Sequence, residues 1–205
     1  MTQVAQNLGT FLLYAIIAMF VQNSVFTRGF GVSRLTKLVG DSTVDSLTFC
    51  GLLCLVQVIS APLAFVANRF LEQGPQFWYR DYIRPLVFTV CALIAFTVVM
   101  LVILLINPPN RKELMAVMPM ATLSCAVLGP MLITAGQGYD FTQTMGFALG
   151  SGLGYTLAVL IVTEGQRKMN NRNVPSTFRG LPINLIYIGI LALAIYGLTG
   201  HRVAI

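Results

Sequence analysis

A thiol and a helix-breaking pair lie close together in the stretch Pro119–Leu132, which reads PMATLSCAVLGPML. Cys125 offers a sulfur for metal ligation or redox chemistry, and Ser124 beside it offers a hydroxyl. The pair Gly129-Pro130 interrupts helical hydrogen bonding. All of them stand in an apolar stretch of membrane length, where irregular backbone is tolerated only if it is buried in protein or lines a cavity. The stretch predicts a broken helix, with an ordinary proline kink beside a buried cysteine as the simpler alternative.

Three further cysteines, Cys50, Cys54 and Cys91, also fall within apolar stretches. Disulfides form mainly in oxidising compartments and join exposed loops, so these side chains are expected to be free thiols or metal ligands. Cys50 and Cys54 share one helix face at a spacing of four residues. Two thiols are fewer ligands than a metal site needs, so core packing is the favoured interpretation for this pair.

The elements that carry these residues follow from the distribution of charge. The chain has 205 residues, of which 56% are hydrophobic and only 10% charged, against about 25% charged in soluble domains. Six intervals of 21 residues or more contain no Asp, Glu, Lys or Arg, and a spanning helix needs about 20 residues. We therefore predict one all-α integral membrane domain over residues 1–205. Its predicted spans are Leu8–Phe26, Asp45–Phe70, Pro85–Ile106, Leu114–Ala135, Phe141–Val162 and Ile183–Leu198.

The basic residues predict the orientation of these spans. The first one is Arg28, so no positive region precedes the first apolar stretch, which is expected to be retained and not cleaved as a signal peptide. Nine Lys and Arg residues fall in the loops after spans 1, 3 and 5, and four fall on the other side. This bias predicts a multi-pass protein of the plasma (inner) membrane with both termini outside. The scattered basic residues argue against nucleic-acid binding.

The chain has a weak internal symmetry. Polar interruptions at Asn23 and Ser124 are 101 residues apart (124 − 23), and Asp41 and Asp140 are 99 apart (140 − 41). Each half, about 1–106 and 107–205, contains three spans, and an odd number makes the halves enter the membrane from opposite sides. The pattern predicts two inverted three-helix repeats in which helices 1 and 4 are broken, near Asn23 and Ser124–Gly129, with the breaks facing each other.

Other patterns have structural explanations or exclude functions. Gly146, Gly150 and Gly154 lie on one helix face at four-residue spacing, which is typical of close helix packing in membranes and is favoured over a substrate groove. No Asp, Glu or Lys lies deep within a predicted span, which argues against a proton relay carried by this chain alone. Phosphate-binding loops, dinucleotide fingerprints, zinc-protease motifs and hydrolase triad patterns are absent from the sequence.

Three stretches resemble a known family of membrane proteins. MPMATLSCAVLGPML is similar to the LPLIT-x-NCA-x-x-G segment of the RnfA/NqrE-type subunits of the Rnf and Nqr redox-driven ion pumps. NVPSTFRGLPINLIYIGILALAIYGLTG is similar to their DVP-x-x-x-RG loop and last helix, and VQNSVFTRGFGVSRL resembles their first broken helix. Six spans in about 200 residues and outside termini also fit this type, and the resemblance covers essentially the whole chain.

The resemblance implies a function and a set of partners. In that family, an RnfA/NqrE-type subunit pairs with a homologous RnfE/NqrD-type subunit, and cysteines from the broken helices hold a shared 2Fe-2S cluster in mid-membrane. It implies a membrane component of a complex that couples electron transfer to ion translocation. Cys125 is the implied cluster ligand, because such clusters are held by thiolates. The implied cofactor-binding positions at the breaks are Asn23, Ser24, Ser124 and Gly129.

The sequence also departs from the family pattern. The family usually has a G-x-C stretch after its first break, whereas this chain runs from Arg28-Gly29 directly to Phe30-Gly31-Val32-Ser33 and lacks that cysteine. Ser124 stands where the family commonly has Asn. An alternative function therefore stays open: a divergent family member that holds no cluster and acts as a transporter or in assembly.

Overall fold

The computed structural model describes residues 2–40, 46–73, 80–108, 111–169 and 180–199. These ranges fold into helices, and no strand occurs among them. The helix α1 continues into one π-helical segment, Ile17–Val21. The eight helices are α1 (Thr2–Ile16), α2 (Val32–Gly40), α3 (Ser46–Gln73), α4 (Arg80–Ile106), α5 (Arg111–Thr122), α6 (Cys125–Gly136), α7 (Phe141–Met169) and α8 (Leu181–Thr199).

By length and composition the structure has five candidate spans, or six if one bent pair of helices counts as a span, which agrees with the predicted six. Five helical stretches are long and apolar enough to cross a membrane: residues 3–21, α3, residues 82–106, α7 and α8. The sixth is the pair α5 and α6, which passes the same test together and bends by 43° between them. Among the described residues the chain is therefore all-α, with the apolar helices of a multi-pass membrane protein.

The centre of the bundle is formed by α3 and α7. Half or more of the apolar window of each lies inside the protein, whereas few residues in the windows of α1 and α8 are fully buried. Large side chains such as Leu53 of α3 and Tyr155 of α7 are completely buried between these two helices and their neighbours. The helix α3 runs through Pro62 without interruption. Because α3 and α7 are central, they can contact both broken helices.

The first break differs from its prediction in length. The π-helical segment ends at Val21, residues 22–31 form no regular helix, and α2 then begins at Val32. The sequence predicts a span to Phe26 followed by a cytoplasmic connection over residues 27–42, and this prediction is wrong where the chain is described. The reason is packing: α2 buries Leu35 completely and contacts α7 and α8. The first broken helix therefore consists of α1, a ten-residue interruption and α2.

The second break is shorter and lies earlier than the Gly129-Pro130 pair suggests. Only Leu123 and Ser124 separate α5 from α6, and the pair lies inside α6. Pro130 lacks an N–H and so leaves the carbonyl of Ala126, four residues back, without its helical donor. Gln57 Nε2 of α3 donates to that oxygen over 3.3 Å. The helix passes through the proline because another helix supplies the missing hydrogen bond.

The two halves of the chain repeat one order of elements. Each consists of a broken helix followed by two long ones: α1/α2, α3 and α4, then α5/α6, α7 and α8. The contacts also correspond. The helix α1 packs on α7 as α5 packs on α3, α2 packs on α8 as α6 packs on α4, and α3 packs on α4 as α7 packs on α8. Each broken helix thus lies against long helices of the opposite half.

The predicted close-packing face on α7 is confirmed. Three glycines on α7 face the backbone of the first broken helix: a methyl group on Gly146 or Gly150 would collide with it, and one on Gly154 would make a tight contact. The pairs run in parallel along the two segments: Gly146 meets Phe11, Gly150 meets Ala15, and Gly154 meets Met19. The absence of side chains on this face lets α1 approach α7 closely enough to place its break at the middle of α7.

Candidate functional site

The two breaks meet inside the bundle, as the sequence predicts. The aromatic ring of Phe30, in the first break, lies against Gly129 of α6, where any β-carbon would overlap it. Gly31 adopts a positive φ of 75° and lies close to Ala126. A β-carbon on Gly31 would be 2.8 Å from the Tyr155 ring, so only glycine fits there. The ends of both broken helices therefore share one region at mid-span.

Asn23 organises the first break. Its side-chain amide donates to the carbonyl of Met19 over 2.9 Å and to that of Gly154 over 3.0 Å. Its Oδ1 accepts from the backbone N–H groups of Val25 (2.9 Å) and Phe26 (3.3 Å). One buried side chain thus closes the interrupted backbone locally and fastens it to α7. All of these hydrogen bonds stay within the chain, so Asn23 acts on its own backbone in this arrangement.

A chain of hydrogen bonds runs from the first break to the second. The Ser24 hydroxyl lies 2.5 Å from that of Ser151 on α7. Gln57 Nε2 of α3 donates to the Ser151 hydroxyl over 3.1 Å and to the carbonyl of Ala126 on α6. Ser24, Ser151 and Gln57 are all almost fully buried. The network therefore couples the two interruptions through the two central helices.

Ser124 begins the second half-helix. It has extended backbone angles, φ −106° and ψ 146°, and its hydroxyl accepts a hydrogen bond from the N–H of Ala126 over 3.1 Å. Its carbonyl accepts from Val127 over 3.0 Å. This is the usual pattern of a serine N-cap. Of the predicted positions at this break, Ser124 acts as a helix cap and Gly129 as a packing contact for Phe30.

Cys125 occupies the first position of α6, at the middle of the α5/α6 span. Its side chain is exposed on the surface of the protein, whereas Cys50 and Cys91 are buried and Cys54 is half-buried. The N-terminus of a helix carries a partial positive charge, which favours an anionic group placed beside it. Cys125 therefore presents an outward thiol at mid-span, next to a backbone end that suits negative charge.

The other cysteines contact the interior of the chain. The Cys54 sulfur lies 3.7 Å from the Thr156 hydroxyl, and Cys50 is packed in the core cluster. In the part of the chain that the structure describes, no three His, Cys, Asp or Glu residues come together in a way that could hold a metal ion. Any metal group bound at Cys125 therefore needs ligands that this part of the chain does not provide.

The position of Arg28 changes the count of basic residues from which the orientation is predicted. It lies exposed in the first break, between residues that contact mid-span positions of α6 and α7, and not in a loop beyond the span. Arg34 and Lys37 lie in α2, the second part of the same broken helix, so without these three residues the cytoplasmic count falls from nine to six basic residues against four. The corrected count still predicts that the loops after spans 1, 3 and 5 lie in the cytoplasm.

Gln57 and Ser151 are site residues that sequence reasoning missed. The signal that could have found Gln57 is a carboxamide in the middle of an apolar span, where a polar side chain needs a partner. Ser151 directly follows Gly150 on α7, where the four-residue spacing of the glycines points to packing alone. A search restricted to charged residues and thiols overlooks such neutral polar groups.

Six apolar spans, with an interrupted helix at the start of each half, define a multi-pass membrane protein whose breaks meet at mid-span. The family described as "Rnf-Nqr subunit, membrane protein" matches residues 11–201. The chain belongs to this family, and among its members it is of the RnfA/NqrE type. It is accordingly a membrane subunit of an Rnf-type complex.

Several relatives match nearly the whole chain. It is 31% identical to a subunit of the ion-translocating oxidoreductase complex of Syntrophotalea carbinolica, over 92% of this chain and 96% of the relative. The subunit of the same name from an Azoarcus species is also 31% identical, over 88% and 91%. The corresponding subunit of the Na⁺-translocating ferredoxin:NAD⁺ oxidoreductase complex of Acetobacterium woodii is 26% identical, over 94% and 98%.

Proposed function

We propose that this chain pairs with a homologous RnfE/NqrD-type subunit, and that the pair carries electrons across the membrane in a complex that moves ions. The relatives are named as subunits of ion-translocating oxidoreductase complexes, and such a complex has further subunits. The observation that carries the proposal is the exposed thiol of Cys125 at mid-span. A free thiol on the membrane-facing surface has no structural role within the chain, which favours a role at a subunit contact.

The residues present fit one corner of a shared cluster and not a complete one. Cys125 offers a single exposed thiol beside the N-terminus of α6, and the first break contains no cysteine. A 2Fe-2S cluster needs four ligands, so three would come from the partner or from other groups. When bound, the cluster would supply one-electron transfer. This chain's contribution is to hold the thiol outward and to exclude water around it with the apolar surface of α5 and α6.

The cluster assignment is tested by replacing Cys125 with Ser in the whole complex. We expect the Cys125→Ser complex to assemble normally, to lose acid-labile sulfide and membrane iron, and to lose electron transfer through the membrane. Cys91→Ala is the matched control, because Cys91 is buried in α4 and should leave all three measurements unchanged. A fully active Cys125→Ala complex with its iron content intact would reject the assignment.

A second function is favoured by the first break. Its polar groups are hydrogen-bonded within the chain, and it brings no second cysteine to the surface. This is the arrangement expected of a family member that transports or assembles without holding a cluster itself. Full activity in the Cys125→Ala complex would select this function over the first.

We also propose that the two halves are inverted repeats, with both termini outside the plasma membrane. The matching order and contacts of the halves support the symmetry, and the six-to-four count of basic residues supports the orientation. Two exposed positions at opposite ends of the α5/α6 span test it. In a variant without native cysteines, Gln137→Cys should react with an impermeant maleimide on intact cells and Lys112→Cys should not. The opposite pattern would reverse the orientation.

A further inference from the structure

A charged residue, Arg28, lies exposed in the first break at membrane depth. The residues before and after it are fixed to α7: the Ser24 hydroxyl lies 2.5 Å from that of Ser151, and Gly31 lies against Tyr155. The helix α7 has 29 residues, and these contacts lie near its middle. The middle of a spanning helix is close to the bilayer midplane, about 15 Å from either surface of the hydrocarbon core. The attachment to α7 therefore holds the backbone of Arg28 deep inside the membrane.

The described part of the chain does not balance this charge. The ion pairs among the described residues involve Glu72 and Glu164, and neither pair includes Arg28. The charge of Arg28 acts on the Tyr139 hydroxyl, but burial raises the pKa of that group, which stays neutral. The nearest acidic residue in the sequence, Asp41, follows α2, whose nine residues extend over about 13 Å. A guanidinium cannot deprotonate, and a charge inside a bilayer is costly unless it is paired.

The surface beside Arg28 is open. The residues on both sides of it, Thr27 and Gly29, are exposed as well. A β-carbon added to Gly29 would meet no atom within 4 Å, so no other part of the described chain covers this segment. A helix of another subunit can approach closely where a glycine leaves the backbone uncovered. The exposed segment therefore has room for a neighbouring helix.

The exposed segment is continuous with the surface that carries the outward thiol. Phe30 follows it directly in the chain, and its ring lies on Gly129 of α6. Cys125 is four residues before Gly129, which places the two on the same face of α6, one turn apart. Arg28 and Cys125 thus lie on either side of one packed ring, and a single partner can cover both.

We propose that Arg28 forms an ion pair with an Asp or Glu side chain of the partner membrane subunit at the depth of the two breaks. This inference rests on the proposed pairing of subunits and names the group that the partner supplies. A guanidinium binds a carboxylate through two parallel hydrogen bonds, which fix orientation as well as charge. Lipid phosphates lie at the membrane surface, beyond the reach of an arginine side chain whose backbone is held at mid-span.

The same charge selects against a second copy of this chain. Asp and Glu do not occur deep within the charge-free intervals of the sequence, so a second copy offers no carboxylate at this depth. In a symmetric contact the same surface of both copies meets, and the two Arg28 guanidinium groups would repel each other. A repulsive element of this kind gives specificity as much as an attractive one does. The ion pair therefore favours a contact with a different chain.

Co-purification of the tagged full-length chain with the other subunits of its complex tests the ion pair. Arg28→Gln leaves the partner's carboxylate buried without a counter-ion, so we expect recovery of the partner membrane subunit to fall at least about tenfold. Arg28→Lys keeps a positive charge and should retain most of the partner. Lys112→Gln is the matched control, because Lys112 is exposed in the first turn of α5, away from mid-span, and should not change recovery.

A photo-cross-linker identifies the carboxylate. With p-benzoylphenylalanine in place of Thr27 and Arg28 unchanged, illumination of the complex should produce a cross-link to the partner subunit, within an apolar segment that contains an Asp or Glu. Replacing that carboxylate with its amide should lower recovery as Arg28→Gln does. The two changes together should restore much of the recovery, because neither buried charge is then left unpaired.

Several results would overturn the inference: undiminished recovery of the partner by Arg28→Gln, cross-links to lipid alone, or cross-links to another copy of this chain alone. The isolated Arg28→Gln chain should be as stable as the wild type in denaturant titration, because the side chain is exposed. A marked loss of stability there would assign Arg28 to folding instead.

The outcome is separable from that of the proposed function. Iron and acid-labile sulfide in the Cys125→Ser complex score the cluster, whereas recovery of the partner by Arg28→Gln scores the ion pair, so either can fail alone. If the wild-type chain recovers no other membrane subunit, the proposed pairing fails and the ion pair fails with it.

Discussion

Both breaks leave backbone groups without helical hydrogen bonds, and the two breaks satisfy these groups in different ways. The first interrupts its helix for ten residues, and Asn23 and Ser24 attach it to α7. The second interrupts its helix for two residues, and Ser124 caps the new helix locally while Cys125 faces outward. One break is closed by Asn23 and is also attached to α7 by long-range hydrogen bonds in the interior. The other is closed by its own serine and leaves a reactive group on the surface.

The difference indicates how the two halves divide their roles. A break attached to the core cannot move or exchange ligands without disturbing α7, so its residues act chiefly on folding. A break that caps itself leaves its neighbouring side chain free for a partner. The first break is therefore the structural one, and the second is the one positioned for chemistry between subunits.

Asn23→Leu should have the largest effect on stability. It removes four hydrogen bonds and leaves the backbone N–H groups of Val25 and Phe26 without their side-chain acceptor in a buried place. We expect a loss of about 3 kcal/mol in the free energy of unfolding, measured by denaturant titration in detergent. A loss below about 1 kcal/mol would show that the first break does not depend on its attachment to α7.

Gly31→Ala should come next. The added methyl group meets the Tyr155 ring at 2.8 Å, and the positive φ of Gly31 disfavours any side chain. We expect a loss of about 2–3 kcal/mol. Gly29→Ala is the control, because Gly29 has a φ of 69° and open space around its β-carbon position. It should lose only about 1 kcal/mol. Equal losses at both sites would mean that packing against α7 contributes nothing at the first break.

Ser124→Ala should have a smaller effect. It removes one capping hydrogen bond to the N–H of Ala126 and leaves the contact between Phe30 and Gly129 in place. The expected loss in the free energy of unfolding is about 1 kcal/mol, the usual contribution of a serine cap. If Ser124→Ala proved as damaging as Asn23→Leu, the contrast between a local and a long-range closure would be wrong.

Cys125→Ala should leave the stability of the isolated chain within about 0.5 kcal/mol of the wild type, because the side chain is exposed. The thiol itself provides the sharper measurement. A membrane-permeant maleimide should label Cys125 faster than Cys50 and Cys91 in the isolated chain, and the assembled complex should protect it. Equal labelling of Cys125 in both states would place it away from the subunit contact.

The sequence predicts the features that depend on local composition. Six spans follow from intervals without charge, and the close-packing face follows from the spacing of Gly146, Gly150 and Gly154. Both breaks are located within a few residues by their polar side chains. These features depend only on the free-energy cost of placing charge or irregular backbone in a bilayer. That cost can be inferred from residues that are near one another in the sequence.

The features that escape prediction depend on partners far away in the chain. The sequence predicts a loop where α2 forms, because the burial of this helix against α7 and α8 cannot be seen locally. It also predicts an interruption at Gly129-Pro130, yet the helix continues there because Gln57 supplies the missing donor. Gln57 itself escapes notice because it carries no charge. Each error involves a contact between residues about 70 or more positions apart.

The attachment of Asn23 to Gly154 spans 131 positions of the chain. A ribosome adds roughly 5–20 residues per second, so the first broken helix is synthesised on the order of ten seconds before α7 emerges. Throughout that interval Asn23 and Ser24 lack their hydrogen-bond partners Gly154 and Ser151 on α7. The newly synthesised N-terminal half therefore depends on the C-terminal half to complete its hydrogen bonds, and it reaches its final packing only when α7 has been inserted.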